Sequence, residues 1–195
     1  MQSARVSTRR ARGFGRKKSR SGWAPVREAL GRLHEKGLVE SAANGRGLAV
    51  AVLSRQQIFE LYAMRAELEA LVARFAFQHA TEAEIGNLKR INTSFEKAQT
   101  PTEAARLNRQ FHAGIYDAAK NRYLRAAVEY LQETVALLPM TTFLHEGRTS
   151  IAAREHAAIV AAIAARDPEA GAEAATTHIR RALDTRLELM GDNEI

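Results

Sequence analysis

The spacing of apolar positions changes along the chain and divides it into three regions. Residues 1–22 show almost no apolar periodicity, and this pattern predicts a disordered arm. Residues 25–53 predict a helix followed by a two-stranded ribbon, since Val26, Leu30 and Leu33 recur at helical spacing before a glycine-rich turn. From Ser54 onward the apolar residues keep a helical period and no strand pattern occurs.

Start and stop signals predict the helix boundaries in the C-terminal region. Ser54 with Gln57 and Thr81 with Glu84 form capping-box patterns. Six helices are expected, near residues 55–79, 82–98, 102–119, 122–145, 149–166 and 168–190. Pro139 is expected to kink or end the fourth of them. The predicted fold class is therefore mostly α, with a helix–ribbon unit followed by an antiparallel all-α bundle of about six helices.

The positive charge of the chain is concentrated in its N-terminal arm. The chain has 29 basic and 22 acidic residues and a net charge of +7, and eight of the basic residues lie in residues 1–22 with no acid among them. The rest of the chain is thus close to neutral. Such an arm could bind phosphate groups in a salt-dependent way, or it could be a basic tail without a dedicated role.

The composition also excludes several classes of protein. The chain has no cysteine, which rules out disulfides, thiolate metal sites and cysteine nucleophiles and is typical of a cytoplasmic protein. The longest unbroken apolar stretch, residues 157–165, is far shorter than the roughly 20 residues that span a bilayer. No secretory signal opens the chain. We therefore expect a cytoplasmic protein with no membrane partner.

Three histidines and one asparagine are predicted to face the interior of the bundle. Asn108 and His112 are four residues apart and share a helix face. His156 lies in an apolar row, and His178 is flanked by alanines. These two histidines lie 11 residues before and after Asp167, so a tight turn there would place both rings at one height. Their nitrogen and oxygen donors suit a divalent metal, and hydrogen-bonded core histidines are the alternative.

Arg65 falls within the apolar stripe of its predicted helix. A guanidinium group in that position needs a partner. It could bind a ligand carboxylate through two hydrogen bonds, or it could form a structural ion pair with Glu69 on the same helix.

Three segments add a resemblance to a known family. Residues 25–40, PVREALGRLHEKGLVE, closely resemble the recognition helix of GntR-family winged-helix transcription regulators, and Gly45-Arg-Gly47 resembles their wing. Residues 58–69, IFELYAMRAELE, are similar to the first helix of the FCD ligand-binding domain of the FadR-like branch. The resemblance covers about residues 25–190. It implies a partial winged helix-turn-helix at 25–53 and an FCD-like domain at 54–195, preceded by the basic arm, which is placed at residues 1–24.

The resemblance also implies a metal site. The family often binds a divalent metal through an Asp/Asn-x-x-Phe-His-like motif, then Glu-His, then His-Ile. This chain has matching residues at Asn108 with His112, at His156 and at His178. By resemblance these four residues hold zinc, nickel or manganese, and Arg65 lies near the pocket of a small carboxylate effector.

By resemblance, Arg27 and Arg46 are the residues expected to contact DNA. Members of the family begin with two further helices that pack beneath the recognition helix, whereas residues 1–22 here have no amphipathic pattern. Residues 22–25, Gly-Trp-Ala-Pro, also replace the family's Ser-Arg-Thr-Pro-like start. The winged helix is thus expected to be truncated or altered, with impaired binding to its operator.

Together these features predict a homodimeric, metal-containing DNA-binding transcription regulator, and not an enzyme, whose helical domain senses a small organic acid. One alternative is a metabolite- or metal-binding protein that has lost specific DNA binding. The other is a metal-dependent hydrolase, for which no His-Glu-x-x-His pair is present.

Overall fold

A computed structural model describes residues 23–191 of the chain. The predicted basic arm therefore lies, apart from its last two residues, outside the described residues. The described residues divide into two compact units, which separate between residues 49 and 50.

The N-terminal unit contains a helix and a β-ribbon, as predicted. Helix α1 spans Ala24–Glu35, and strands β1 (Val39–Ser41) and β2 (Leu48–Val50) pair in a two-stranded sheet. Gly45 and Gly47 both have positive φ in the connecting turn, a conformation that side chains with a Cβ rarely adopt.

No residue of α1 is buried by the described part of the chain. Its apolar stripe, formed by Val26, Leu30 and Leu33, is exposed. The described residues therefore provide no packed core beneath this helix.

The C-terminal unit is the predicted bundle of six helices. Their bounds are α2 Arg55–His79, α3 Glu82–Glu96, α4 Pro101–Ala118, α5 Arg122–Val135, α6 Arg148–Ala164 and α7 Pro168–Gly191. Both predicted capping boxes form at Ser54 and Thr81, which explains why α2 and α3 begin where the sequence indicated. None of the described helices is long and apolar enough to cross a membrane.

The prediction for the fourth helix was wrong for its last ten residues, 136–145. Helix α5 ends at Val135, four residues before Pro139, because proline cannot donate a backbone hydrogen bond and also disfavours a helical residue before it. A short 3-10 turn, Thr142–Leu144, follows before α6. The irregular segment 136–147 that results forms one wall of the cavity described below.

The core draws on all six helices, and α2, α6 and α7 approach each other closely within it. A Cβ atom on Gly171 of α7 would lie 3.7 Å from the Cβ atoms of both Ala73 and Ala162, so small residues permit this approach. The turn between α6 and α7 is tight, with Arg166 at positive φ and the Asp167 carboxylate accepting a hydrogen bond from the Ala170 amide. This turn places His156 and His178 at similar height on adjacent helices.

Candidate metal centre and ligand cavity

Three buried histidines converge from three helices. His112 of α4, His156 of α6 and His178 of α7 each present a ring nitrogen, and these nitrogens all lie within 4.8 Å of one another. The Nε2 atoms of His112 and His178 are 3.2 Å apart. Nitrogens about 2.0–2.1 Å from one zinc ion lie roughly 3–3.5 Å from each other, so this spacing suits shared coordination.

The outer nitrogen of each ring is close to an oxygen atom. The Nδ1 atom of His178 lies 2.7 Å from Oε2 of Glu155, and that of His156 lies 3.2 Å from Oδ1 of Asn92. The Nδ1 atom of His112 lies 3.4 Å from Oε2 of Glu69, a contact that is long for a hydrogen bond, and this nitrogen has no other partner. Since an ionised carboxylate only accepts, the proton belongs on Nδ1 of His178 and the lone pair is on Nε2.

Two polar atoms on the inner side of the site have no partner. Nε2 of His156 is buried and has no hydrogen-bond partner, and the Oδ1 atom of Asn108 is likewise buried without one. Buried acceptors without a donor are costly, and the facing Nε2 atoms of His112 and His178 avoid repulsion only if one of them carries a proton or both bind a cation. Histidines whose Nδ1–H groups are held by carboxylate or amide oxygens are typical ligands of zinc and related ions. The donor set therefore fits a divalent cation.

The protonation states of His156 and His178 also suit a metal site. Burial, reinforced by the neighbouring His178 and His112, lowers the pKa of His156 well below its usual range. Burial also lowers the pKa of His178 to about 4, although the hydrogen bond to Glu155 acts in the opposite direction. Both rings are therefore neutral near pH 7, the form in which imidazole binds metals.

Aromatic packing fixes the ring of His156. Phe111 stacks on it with ring centroids 4.0 Å apart and an interplanar angle of 18°, and Phe95 lies against it at 5.0 Å. The phenylalanine in the Asn-x-x-Phe-His segment thus orients one histidine while its neighbour His112 contributes another.

Glu155 is the residue that sequence reasoning missed. Its buried carboxylate accepts hydrogen bonds from His178 and, at 2.9 and 3.0 Å, from both terminal nitrogens of Arg148. Burial alone would raise the pKa of Glu155, but His178 and Arg148 outweigh it and lower the pKa. Helical geometry turns Glu155 away from the neighbouring His156, and in that direction it meets His178 on α7. The seven-residue spacing of Arg148 and Glu155, two turns apart on one face, was the available signal.

Glu69 has a similar role on the opposite side of the site. Its carboxylate accepts a 2.5 Å hydrogen bond from Tyr116, which in turn accepts one from Gln132 at 3.0 Å. Burial would raise the pKa of Glu69, but His112, Arg65 and Tyr116 lower it to about 2. Glu69 therefore remains ionised inside the bundle.

Arg65 is buried between Glu69 and the cavity in which a ligand carboxylate was predicted to bind. Its Nη2 atom lies 3.9 Å from Oε1 of Glu69, so the predicted ion pair exists but is long. Its guanidinium lies over the ring of Tyr62 at 5.0 Å, and its Nε atom has no hydrogen-bond partner. The side chain also lines the cavity beside the histidines.

That cavity has a volume of about 300 Å³ and is lined by positive and neutral groups. It reaches Asn108, His112 and His178 at the histidine cluster, whereas His156 lies behind them. Four arginines also line it, namely Arg65, Arg109, Arg148 and Arg186. None of the described residues that line it is acidic, so the cavity attracts anions.

The two predicted DNA contacts lie in the other unit. Arg27 is exposed on α1, and Arg46 is exposed in the turn between the strands. The backbone amide of Arg46 donates to Oδ1 of Asn44 at 3.0 Å, which holds the turn in shape.

Comparison with known proteins identifies the class of this architecture. The FCD domain family matches residues 60–181. The chain is 27% identical to the uncharacterized HTH-type transcriptional regulator YdhC of Bacillus subtilis over 88% of this chain and 75% of that protein. It is 31% identical to a probable D-xylose utilization operon transcriptional repressor of Paenarthrobacter nicotinovorans, over 80% of this chain and 69% of the repressor. The structure of E. coli McbR/YncC superposes with a TM-score of 0.76 at 21% identity, covering 85% of this chain and 80% of that one.

The relatives of this chain are transcription regulators. The chain belongs to the FCD domain family, and a solved structure to which it is similar at 23% identity is described as a GntR family member, so the resemblance seen in the sequence is confirmed. Since these relatives are regulators and not enzymes, the prediction that the chain is not an enzyme is also confirmed.

The shared carboxylate of Glu155 leads to a stability prediction. We expect Glu155→Gln to lower the free energy of unfolding by about 3–5 kcal/mol, because it leaves the buried guanidinium of Arg148 without a counter-charge. Urea denaturation with linear extrapolation measures this change. The control is Glu169→Gln, which removes an exposed carboxylate from its pair with Arg74 and should leave the stability nearly unchanged. Equal effects of the two substitutions would contradict the assigned role of Glu155.

Proposed function

We propose that this chain is a cytoplasmic, homodimeric regulator whose helical domain binds a divalent metal and a small organic acid that modulates DNA binding. The observation that carries this proposal is the convergence of three buried histidines beside a cavity rich in arginine. An effector that binds one conformation more tightly than another shifts the population toward it, and that shift would alter DNA binding.

The metal would be held by Asn108, His112, His156 and His178. Imidazole nitrogens with one amide oxygen suit zinc, nickel or manganese. When bound, the ion supplies a Lewis-acidic positive charge at the inner end of the cavity. Because all four ligands are neutral, none of them cancels that charge, which favours an anionic effector.

The effector would be a small carboxylate that Arg65 binds. The unpartnered Nε atom of Arg65 and its long separation from Glu69 leave hydrogen-bonding capacity for a ligand. The cavity volume of about 300 Å³ accommodates a small molecule.

The homodimer would form through the face shared by α2 and α7. A largely apolar groove there contains Phe59, Met64 and Leu183, and its walls also carry Glu67 and Arg180. In a two-fold contact each residue meets the same surface of the second copy, so acidic and basic groups on one groove can pair across the axis. An exposed apolar groove with both charge signs therefore suits a second copy of this chain.

DNA would be contacted by Arg27 of α1 and Arg46 of the ribbon turn. A helix reads bases only when it is held rigidly in the groove, and the described residues bury no part of α1. We therefore infer that this form binds DNA weakly or with little sequence selectivity, mainly through phosphate contacts.

The metal proposal predicts one divalent ion per chain after purification without chelator. His156→Ala and His178→Ala should abolish this metal content, whereas His79→Ala, at an exposed histidine, should retain it. Metal at one hundred times its Kd should stabilise the wild type by about 2.7 kcal/mol, seen as a higher melting temperature. Elemental analysis and thermal melting measure both effects. A wild type that carries no metal and melts unchanged when metal is added would show that these are ordinary core histidines.

The DNA proposal predicts similar Kd values for duplexes of different sequence and a steep loss of affinity with salt, measured by fluorescence anisotropy. Arg27→Ala and Arg46→Ala should each weaken binding and reduce the salt slope by about one, as expected for a lost phosphate contact. Arg90→Ala, at an exposed arginine of the bundle, is the matched control. Tight, sequence-selective binding at physiological salt would contradict the inference that this chain binds DNA weakly. If the chain binds no DNA even at low salt, the DNA proposal fails, and the alternative of a ligand-binding protein that has lost DNA binding is favoured.

The dimer proposal predicts that the chain sediments as a dimer at micromolar concentration. Met64→Lys should shift it to monomer, because it places a charge in the apolar groove of both copies. Leu144→Lys introduces the same group outside the groove at similar exposure, 52% against 54%, and should leave the dimer intact. A wild type that sediments only as monomer would contradict the proposal.

A further inference from the structure

Arg186 is a buried cation that neither the metal nor the Arg65 interaction uses. It lies on α7, is only 4% exposed and lines the cavity. Its Nη1 atom donates to the backbone carbonyl of Met140, and its Nε atom is buried with no hydrogen-bond partner. Within residues 23–191 no carboxylate lies within ion-pair distance of it, unlike Arg65 and Arg148.

The buried charges around the cavity do not balance. Among the described residues, three buried arginines (Arg65, Arg148 and Arg186) accompany two buried carboxylates (Glu69 and Glu155). Both carboxylates are already engaged by a histidine and by one of the other two arginines. A guanidinium removed from water is stabilised mainly by an anion, and a single neutral carbonyl compensates it only in part. Arg186 therefore lacks an anionic partner in this part of the chain.

The position of Arg186 along α7 separates it from the histidine cluster. His178, Ala182 and Arg186 follow one another at intervals of four residues and all line the same cavity. Eight residues of helix correspond to about 12 Å, and helical side chains lean back toward the N-terminus, so the guanidinium approaches the histidine end more closely than that. The two sites are thus separate but within reach of one small molecule.

We propose that Arg186 binds a second anionic group of the effector, which makes the ligand a small dianion such as a dicarboxylate. One anionic end lies at the histidine cluster, and the other forms a charge-assisted hydrogen bond with Arg186. This inference rests on the proposed function, because it concerns the ligand of the same cavity. It goes beyond that function by naming the residue that distinguishes a dianion from a monoanion.

The experiment compares paired probes of equal carbon number on the metal-loaded, full-length protein. Succinate is compared with butanoate, and glutarate with pentanoate, by titration calorimetry. We expect the wild type to bind the better dicarboxylate about tenfold or more tightly than its partner, the effect of one hydrogen bond between charged groups. Arg186→Gln should reduce this ratio to near one by weakening the dicarboxylate alone, while Arg186→Lys should retain part of the preference.

The matched control is Arg90→Gln, which removes the same charge from an exposed position of α3, outside the cavity, and should leave the ratio unchanged. Equal affinity of both probes for the wild type, or an unchanged ratio in Arg186→Gln, would overturn this inference while leaving the proposed carboxylate effector in place. Equal weakening of both probes would assign Arg186 to holding segment 136–147 through Met140 and would overturn it too. If no carboxylate of either series binds the wild type at millimolar concentration, the proposed effector class fails with it.

Discussion

The buried carboxylate of Glu155 is the interaction on which the rest of the site depends. It accepts hydrogen bonds from His178 and from Arg148, and the exposed Arg181 adds a third contact at 3.3 Å. Without this negative charge, Arg148 would be an unpaired cation in the interior, and His178 would lose the group that fixes its proton on Nδ1. One carboxylate thus makes it possible to bury a cation beside the cavity and also aims a ring nitrogen inward.

Glu69 repeats this arrangement from the other side, and the repetition suggests how the site communicates with its ligand. Glu155 links His178 to Arg148, while Glu69 links His112 to Arg65. Each carboxylate therefore divides its charge between one histidine and one arginine that lines the cavity. Under the proposed function, an anion that attracts the arginine would leave more of the carboxylate charge for the histidine. Binding of the proposed effector and of the proposed metal would then be coupled, and by linkage the coupling would be reciprocal.

The fold and the histidines were predictable because they depend on local pattern, whereas the carboxylates depend on long-range neighbours. Capping residues fixed the start of α2, and the equal spacing of His156 and His178 about Asp167 required only a tight turn. Pro139 was expected to kink or end the fourth helix, but the predicted bounds still ran past it because the apolar period continues there. Glu155 was missed because its partner lies on another helix, α7. Periodicity identifies which face of a helix is buried, but it does not identify the residues of other helices that pack against that face.

The placement of acidic groups explains how one site could orient metal ligands and still attract an anion. A carboxylate bound directly to an ion cancels part of its charge, whereas Asn108 cancels none. Here the carboxylates of Glu69 and Glu155 lie beside the Nδ1 atoms of His112 and His178 and do not line the cavity with the arginines. The lining of the cavity is consequently positive, and the negative charge lies behind the rings. This separation of charge keeps the acidic groups of the site away from a cavity whose lining favours anions.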